Sequence, residues 1–173
     1  MSPRSPRLEY ENKIVKCKAL RNIPEIETVG FKLNSVEADS EFTTFYWVAR
    51  ELARNGLIGY EDEILNNNEW TQIHFKERIN PAGPPSPLPE EFYAKAYQSF
   101  TSAEDMDTVI NLNRIRARYR DILESRINRI TRYAAAEANS PTRVLQSEEI
   151  SLYDNVHRII SEWRQKMRKI GNE

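Results

Sequence analysis

Hydrophobic and polar positions change period along this chain. Over Lys13–Leu20 (Lys-Ile-Val-Lys-Cys-Lys-Ala-Leu) and Glu27–Leu33 (Glu-Thr-Val-Gly-Phe-Lys-Leu), apolar and charged residues partly alternate and β-branched residues recur, as in short strands. Asn22-Ile-Pro-Glu between them is a turn signal, so two or three short strands of a small sheet are expected. A two-stranded ribbon is marginal in water and needs a cover. The next segment can supply it. Asp39 or Ser40 can cap a helix running through Asn55, with Gly56 placed to end it. Phe42, Phe45, Tyr46, Ala49, Leu52 and Ala53 recur at helical spacing there, leaving Arg50 and Arg54 outside. Residues 8–66 therefore read as a small β-rich domain with one helix.

From Asn67 onward the period is helical. Asn68 can cap Glu69–Ile79, with Trp70, Ile73 and His74 turned inward. Pro89–Phe100 places Phe92, Tyr93, Ala96, Tyr97 and Phe100 on one face. Thr101-Ser-Ala-Glu104 has the form of a capping box, so a new helix is expected at once, Ala103–Ala138, stopped by Ser140-Pro141. Ser147, followed by Glu148 and Glu149, caps the last helix. Its inward set is Ile150, Tyr153, Val156, Ile160, Trp163 and Met167, and Gly171 closes it. The fold class is α+β: the β-rich domain first, then a larger all-α domain over 67–173.

Between the first two helices of that domain lies Pro81-Ala-Gly-Pro-Pro-Ser-Pro-Leu-Pro-Glu-Glu-Phe-Tyr93. Proline carries no backbone N–H and holds its φ, so this run is a stiff connector that aims the aromatic helix following it. Aromatic residues here, including Phe92, Tyr93, Tyr97, Phe100 and Tyr119, exceed what one small helical layer can cover. They are the candidate subunit interface.

The long helix carries Arg114, Arg116, Arg118, Arg120, Arg126, Arg129 and Arg132. At about 100° per residue, Arg114, Arg118, Arg129 and Arg132 share one sector. Two fates are open to this stripe: a solvated face, the commoner outcome for charged helix sides, or contact with DNA or a partner protein. Arg50 and Arg54 are further candidates for such contact. Arg126 instead falls among Ile115, Tyr119, Ile122, Leu123, Ile127 and Ile130. An arginine on an apolar face keeps its charge and needs a carboxylate or carbonyl, so a structural ion pair is expected.

Composition narrows the function. A net charge of −1 argues against a body that is basic throughout, as a general nucleic-acid binder would be. The lone cysteine, Cys17, cannot form an internal disulfide, and no apolar run approaches the length of a membrane span. The first residues, Met-Ser-Pro-Arg-Ser-Pro-Arg, lack a signal peptide's hydrophobic stretch and read as a frayed basic tail. There is no phosphate-cradling glycine loop, no H-E-x-x-H and no C-x-x-C, and two histidines, His74 and His157, with one cysteine supply no zinc site. Glu148 and Glu149 are read as helix-cap chemistry. Trp47, Trp70 and Trp163 are read as core, or as protein interface, where tryptophan is enriched. No enzyme, cofactor or metal is expected. The function classes left are an assembly protein or a stand-alone helical DNA- or RNA-binding protein using the arginine-rich helix.

The order of these parts resembles a known family. A small β domain, an aromatic helix, a proline loop ending Ser86-Pro87-Leu88-Pro89-Glu-Glu-Phe92-Tyr93, and a long helix with Arg126-Ile127-Asn-Arg129-Ile130 are similar to a GINS subunit of the replicative helicase. Having the small domain first resembles the Psf-two and Psf-three class, and the lean connectors resemble archaeal members. The resemblance implies a non-catalytic scaffold in a four-subunit complex, in archaea often two copies each of two subunits. Its implied partners are a sister subunit of the helical-domain-first class, the MCM helicase, a RecJ-like protein and primase or polymerase, with at most a weak DNA contact. It implies a cytoplasmic, nucleoid-associated place in an archaeon, or a nuclear one in a eukaryote.

Overall fold

The computed structural model describes residues 6–61, 64–105, 109–136 and 142–170. By its contacts the chain divides into two compact units, Met1–Glu63 and Ile64–Glu173.

The first unit opens with a short helix, α1 (Pro6–Glu11), in the stretch read as a tail. Proline suits a first helical turn because it gives up no hydrogen bond there, and Arg7 pairs with Glu11 one turn on at 2.9 Å. Strand β1 (Ile14–Ala19) alternates as its sequence demands: Ile14, Lys16 and Lys18 are exposed while Cys17 and Ala19 are buried. It lies between β4 (Glu41–Phe45) and β5 (Ile58–Tyr60), antiparallel to both, in the order β4-β1-β5. Ile14 faces Phe45 across one edge, and Cys17 faces Tyr60 across the other. Between β1 and β4 the chain makes a separate hairpin, β2 (Ile26–Thr28) and β3 (Phe31–Leu33). Val29-Gly30 turns it, and Gly30 takes φ 84°, a conformation glycine tolerates without strain.

The helix expected from Asp39 or Ser40 begins later. Residues 41–45 form β4, and α2 covers Tyr46–Arg54. Phe42 and Phe45 fit a helical wheel, but Thr43 and Thr44 are β-branched, and five consecutive pairings with β1 settle the segment as strand. Asp39 sits at φ 64° and so cannot open a regular helix. The C-terminal end follows the sequence. Gly56 is left-handed at φ 67°, its N–H reaches Ala53 O at 2.9 Å, and Leu57 N–H reaches Leu52 O at 3.0 Å, which is the Schellman pattern. Helix α2 covers the sheet through Val48, Ala49 and Leu52, which pack with Cys17, Ala19, Ile23 and Ile58. Burial pushes the Cys17 thiol up to about 11.

The second unit is helical: α3 (Asn67–Ile79), α4 (Phe92–Asp105), α5 (Val109–Ala135), a single 3-10 turn at Thr142–Val144, and α6 (Ser147–Ile170). Asn66, not Asn68, caps α3. Its side chain accepts from the Asn68 and Glu69 amides at 2.9 and 3.0 Å, and Glu69 returns a bond to the Asn66 amide at 2.8 Å. The start at Pro89 is corrected to Phe92, because Glu91 is left-handed at φ 53°. Thr101 starts no new helix. Its hydroxyl bonds back to Tyr97 and Gln98 carbonyls at 3.2 and 3.0 Å, a mid-helix habit of threonine, and α4 continues to Asp105. The Ser140-Pro141 stop, Gly171 and residues 1–5 lie outside the described residues. Helix α5 packs against α3, α4 and α6. One core gathers Leu65, Trp70, Ile73, Phe92, Ala96, Leu112, Ile115 and Ile122; a second gathers Ile130, Ala134, Leu145 and Tyr153 under α6. The inward set of α6 is corrected at its far end: Trp163 is 61% exposed and Met167 40%.

Candidate functional site

Glu77, Arg126, Arg129 and Glu149 bring two positive and two negative groups together inside the second unit, each no more than 3% exposed. Arg126 is one turn past Ile122 on the apolar side of α5, so packing carries its guanidinium inward. Burial alone would ease the proton off. The Glu149 hydrogen bonds and charge, with Glu77, more than reverse this and hold Arg126 charged. Its Nε and Nη2 take the two Glu149 oxygens in a fork, the second at 2.7 Å, and Nη1 donates to Glu77 Oε1 at 3.1 Å.

The remaining donors go to the proline loop. Loop carbonyls lack the ladder partners of a strand or helix, and prolines supply no N–H to pair among themselves. Arg126 Nη1 donates to Ser86 O at 2.6 Å, Arg129 Nη1 to Pro84 O at 3.0 Å, and Arg132 Nη2 to Pro81 O at 2.8 Å. Three residues of helix advance roughly 4.5 Å along the axis and drift about 60° around it. The three arginines therefore step along the loop while turning from core to solvent: Arg126 and Arg129 are buried and Arg132 is exposed. Arg129 also donates to the Glu77 carbonyl and lies 3.6 Å from Glu77 Oε2. Ser125 Oγ and the Ser86 amide complete the Glu77 shell at 3.2–3.3 Å. Glu149 serves a second end, since its Oε2 accepts the amide of Gln146 just before α6, and Gln146 Oε1 accepts the Phe92 amide that opens α4. The clamp thus ties α3, the loop, α4, α5 and α6 to one neutral charge group.

Several sequence expectations change here. Arg129 does not belong to a solvent stripe; it is 1% exposed, because Glu77 and the Pro84 carbonyl draw it under the loop. Arg118 is half-buried and reaches the Asn67 carbonyl at 3.5 Å, while Arg114 stays exposed. On the first unit, Arg50 is half-buried and Arg54 pairs with Glu51 at 2.8 Å. Phe92 presents nothing to a partner: it is wholly buried against Trp70, Tyr93 and Tyr119, with ring centroids 5.8, 5.2 and 6.3 Å away. Tyr93 donates its hydroxyl to Glu149 Oε1 at 2.8 Å, and burial followed by the Glu149 charge pushes its ionisation far above the usual range. Phe100, Tyr119 and Tyr97 are half-buried. The first two, 5.2 Å apart, line an open groove of about 520 Å³ with Asn113, Arg116 and Arg120. His74 meets Asp121 at 3.1 Å, and His157 Nδ1 donates to the Ala134 carbonyl at 3.0 Å. Glu149, read only as cap chemistry, is instead the buried partner of Arg126, and Glu77 is a site residue that sequence reasoning missed altogether. Its one signal was a carboxylate on α3 one turn beyond Ile73, toward the inward side.

Among the described residues, no group of histidine, cysteine, aspartate or glutamate is placed to hold a metal, and no helix is long and apolar enough to cross a membrane. A β unit is followed by a helical bundle whose four buried charges are paired with one another and with backbone groups of the same bundle. A family model described as the GINS complex protein helical bundle domain, Sld5, matches residues 62–168, which is more than half of the chain. The chain belongs to this family, whose members are non-catalytic scaffold subunits of the GINS complex acting in DNA replication, with other GINS subunits and the replicative helicase as their associates. No individual curated protein matches it.

Proposed function

We propose that this chain is the small-domain-first subunit of an archaeal GINS complex, similar to the Psf-two and Psf-three class. The observation that carries the reading is order: the family match begins at residue 62, and a β unit precedes it. In this reading the chain pairs with a sister subunit of the helical-domain-first class in a 2:2 tetramer, which bridges the MCM ring to a RecJ-like protein and offers a surface to primase or polymerase. The half-buried aromatic edge of Tyr97, Phe100 and Tyr119 is the part of the predicted interface still open to the sister chain, with Arg116 and Arg120 beside it. The stand-alone nucleic-acid reading loses support, because Arg129 is buried and Arg118 and Arg132 are directed at carbonyls of the chain itself.

Co-expression with the helical-domain-first subunit of the same genome tests the reading. The expected product is a single species of 2:2 mass by light scattering, weakened by Phe100→Glu. A monodisperse monomer that ignores the sister subunit and binds DNA with a steep salt slope would overturn it.

A further inference from the structure

We propose that the free edge of β4 receives an extended segment of a separate protein, rich in valine or isoleucine and basic at its C-terminal end, as a further antiparallel strand. The ladder to β1 shows which backbone groups are left over. The Ala19 amide donates to the Ser40 carbonyl at 2.9 Å, and the amides of Asp39 and Tyr46 donate to the carbonyls of Ala19 and Lys13 at 2.9 and 2.8 Å. Alternate residues of an antiparallel strand turn their N–H and C=O to opposite sides. Phe42 and Thr44 therefore turn theirs to β1, and Glu41, Thr43 and Phe45 turn theirs away. Because β4 ends the order β4-β1-β5, and β2 and β3 pair with each other, no strand among the described residues meets that row. The Phe45 carbonyl belongs to the first turn of α2, which leaves the amides of Glu41, Thr43 and Phe45 and the carbonyls of Glu41 and Thr43. Glu41 and Thr43 are exposed, so the row is open to solvent. Proteins blunt such edges with proline, lysine, a bulge or brevity. Strand β5 is three residues long, whereas β4 runs five residues in unbroken register with neither proline nor lysine.

A row of backbone donors and acceptors is matched by another strand, and the side chains of β4 select its chemistry. Residues of the added strand opposite Phe42 and Thr44 fall on the side of the sheet that α2 covers. Phe42 is half-buried there at the rim of the core, so valine or isoleucine fits against it. On the open side Glu41 is exposed, and no cation among the described residues is paired with it. Lys18, opposite Glu41 in the ladder, instead lies 3.3 Å from Asp39. A lysine or arginine near the C-terminal end of an antiparallel partner meets Glu41. A second copy of β4 centred on Thr43 would set Phe45 opposite Glu41 and leave both acids without a cation. Phe31 closes the far end of the site on Phe45, with ring centroids 6.1 Å apart.

The test uses the full chain and a fluorescein-labelled designed peptide, Gly-Ser-Val-Thr-Val-Lys-Gly, in which the threonine falls opposite Thr43 and the lysine opposite Glu41. Fluorescence anisotropy should show saturable binding. N-methylation of the threonine and lysine amides, which face β4, should weaken it at least ~10-fold, and N-methylation of the two valine amides, which face away, should change it less than ~3-fold. Glutamate in place of the peptide's lysine should weaken binding at least ~3-fold, and Glu41→Lys should reverse that preference. Thr43→Pro removes an outward amide and no bond to β1, so it should weaken the lysine peptide at least ~10-fold with unchanged circular dichroism. Should that variant fail to fold, the methylated peptides decide the matter on the unaltered chain. Absence of binding, equal sensitivity to both methylation patterns, or indifference to Glu41→Lys would overturn the proposal. So would self-association through β4, lost in Thr43→Pro, in place of peptide binding. The sister subunit takes no part, so this outcome is separate from that of the co-expression experiment.

Discussion

Arg126 shows how one side chain can be both the costliest and the most useful residue of a fold. Its charge cannot be shed, so burial is tolerated only because Glu149, Glu77 and the Ser86 carbonyl occupy its donors. Arg126→Ala should cost about 3–5 kcal/mol in urea unfolding, because two carboxylates stay buried without it. Arg126→Lys should recover little, since one ammonium cannot reproduce the fork to Glu149 and also reach the loop. Arg114→Ala, at an exposed position on the same helix, should stay within about 0.5 kcal/mol. Equal losses at 114 and 126 would show that the clamp does not carry this weight. The inward placement of Arg126 was legible from the helical wheel alone. Its partners were not, because Glu77 lies two helices upstream and Glu149 already had a sufficient local explanation in the first turn of α6.

At the scale of elements, long periodic segments declared themselves and short ones did not. Helices α5 and α6 have enough turns for their apolar stripes to be unambiguous. Residues 41–45 carry both periods at once, and only pairing with β1, more than twenty residues away in sequence, decides between them. Trp163 and Met167 sit on a helical stripe that the sequence correctly draws, but the supporting helix ends first, and periodicity cannot see where a neighbour stops. Caps are more local and more predictable in effect. Asn66→Ala should remove both bonds to the α3 amides and lower stability by about 0.5–2 kcal/mol, with Asn68→Ala nearly neutral. A larger loss at Asn68, measured by thermal unfolding, would contradict the cap assignment.

At the scale of the molecule, the order β unit then helical bundle was readable because the strand-like alternation is confined to the first third and the period is helical from Asn67 onward. Each unit has its own core, and they differ in size and in local order. The first unit comprises Met1–Glu63, near the lower limit at which a core without disulfide or metal sustains itself. Hydrogen exchange on the full chain should therefore show amides of β1, β4 and β5 opening with lower protection than those of α5. A chain of residues 64–173 should retain its helical circular dichroism and a cooperative transition. Loss of that transition on removing the first unit would mean that the bundle does not stand on its own.

The four buried charges also limit how this sequence can change over generations. Glu77, Arg126, Arg129 and Glu149 sum to zero, and any one replacement leaves an uncompensated charge in a fold whose whole margin is of order 5–15 kcal/mol. A lineage moving from this arrangement to an apolar one of equal volume would reach a sound protein at the far side, since buried ion clusters are replaceable as sets. The single steps between are the obstacle. Drift at these positions is thus bound together, and positions 126 and 149 are free to change only as a pair, while the exposed Arg114 a few turns away can vary alone.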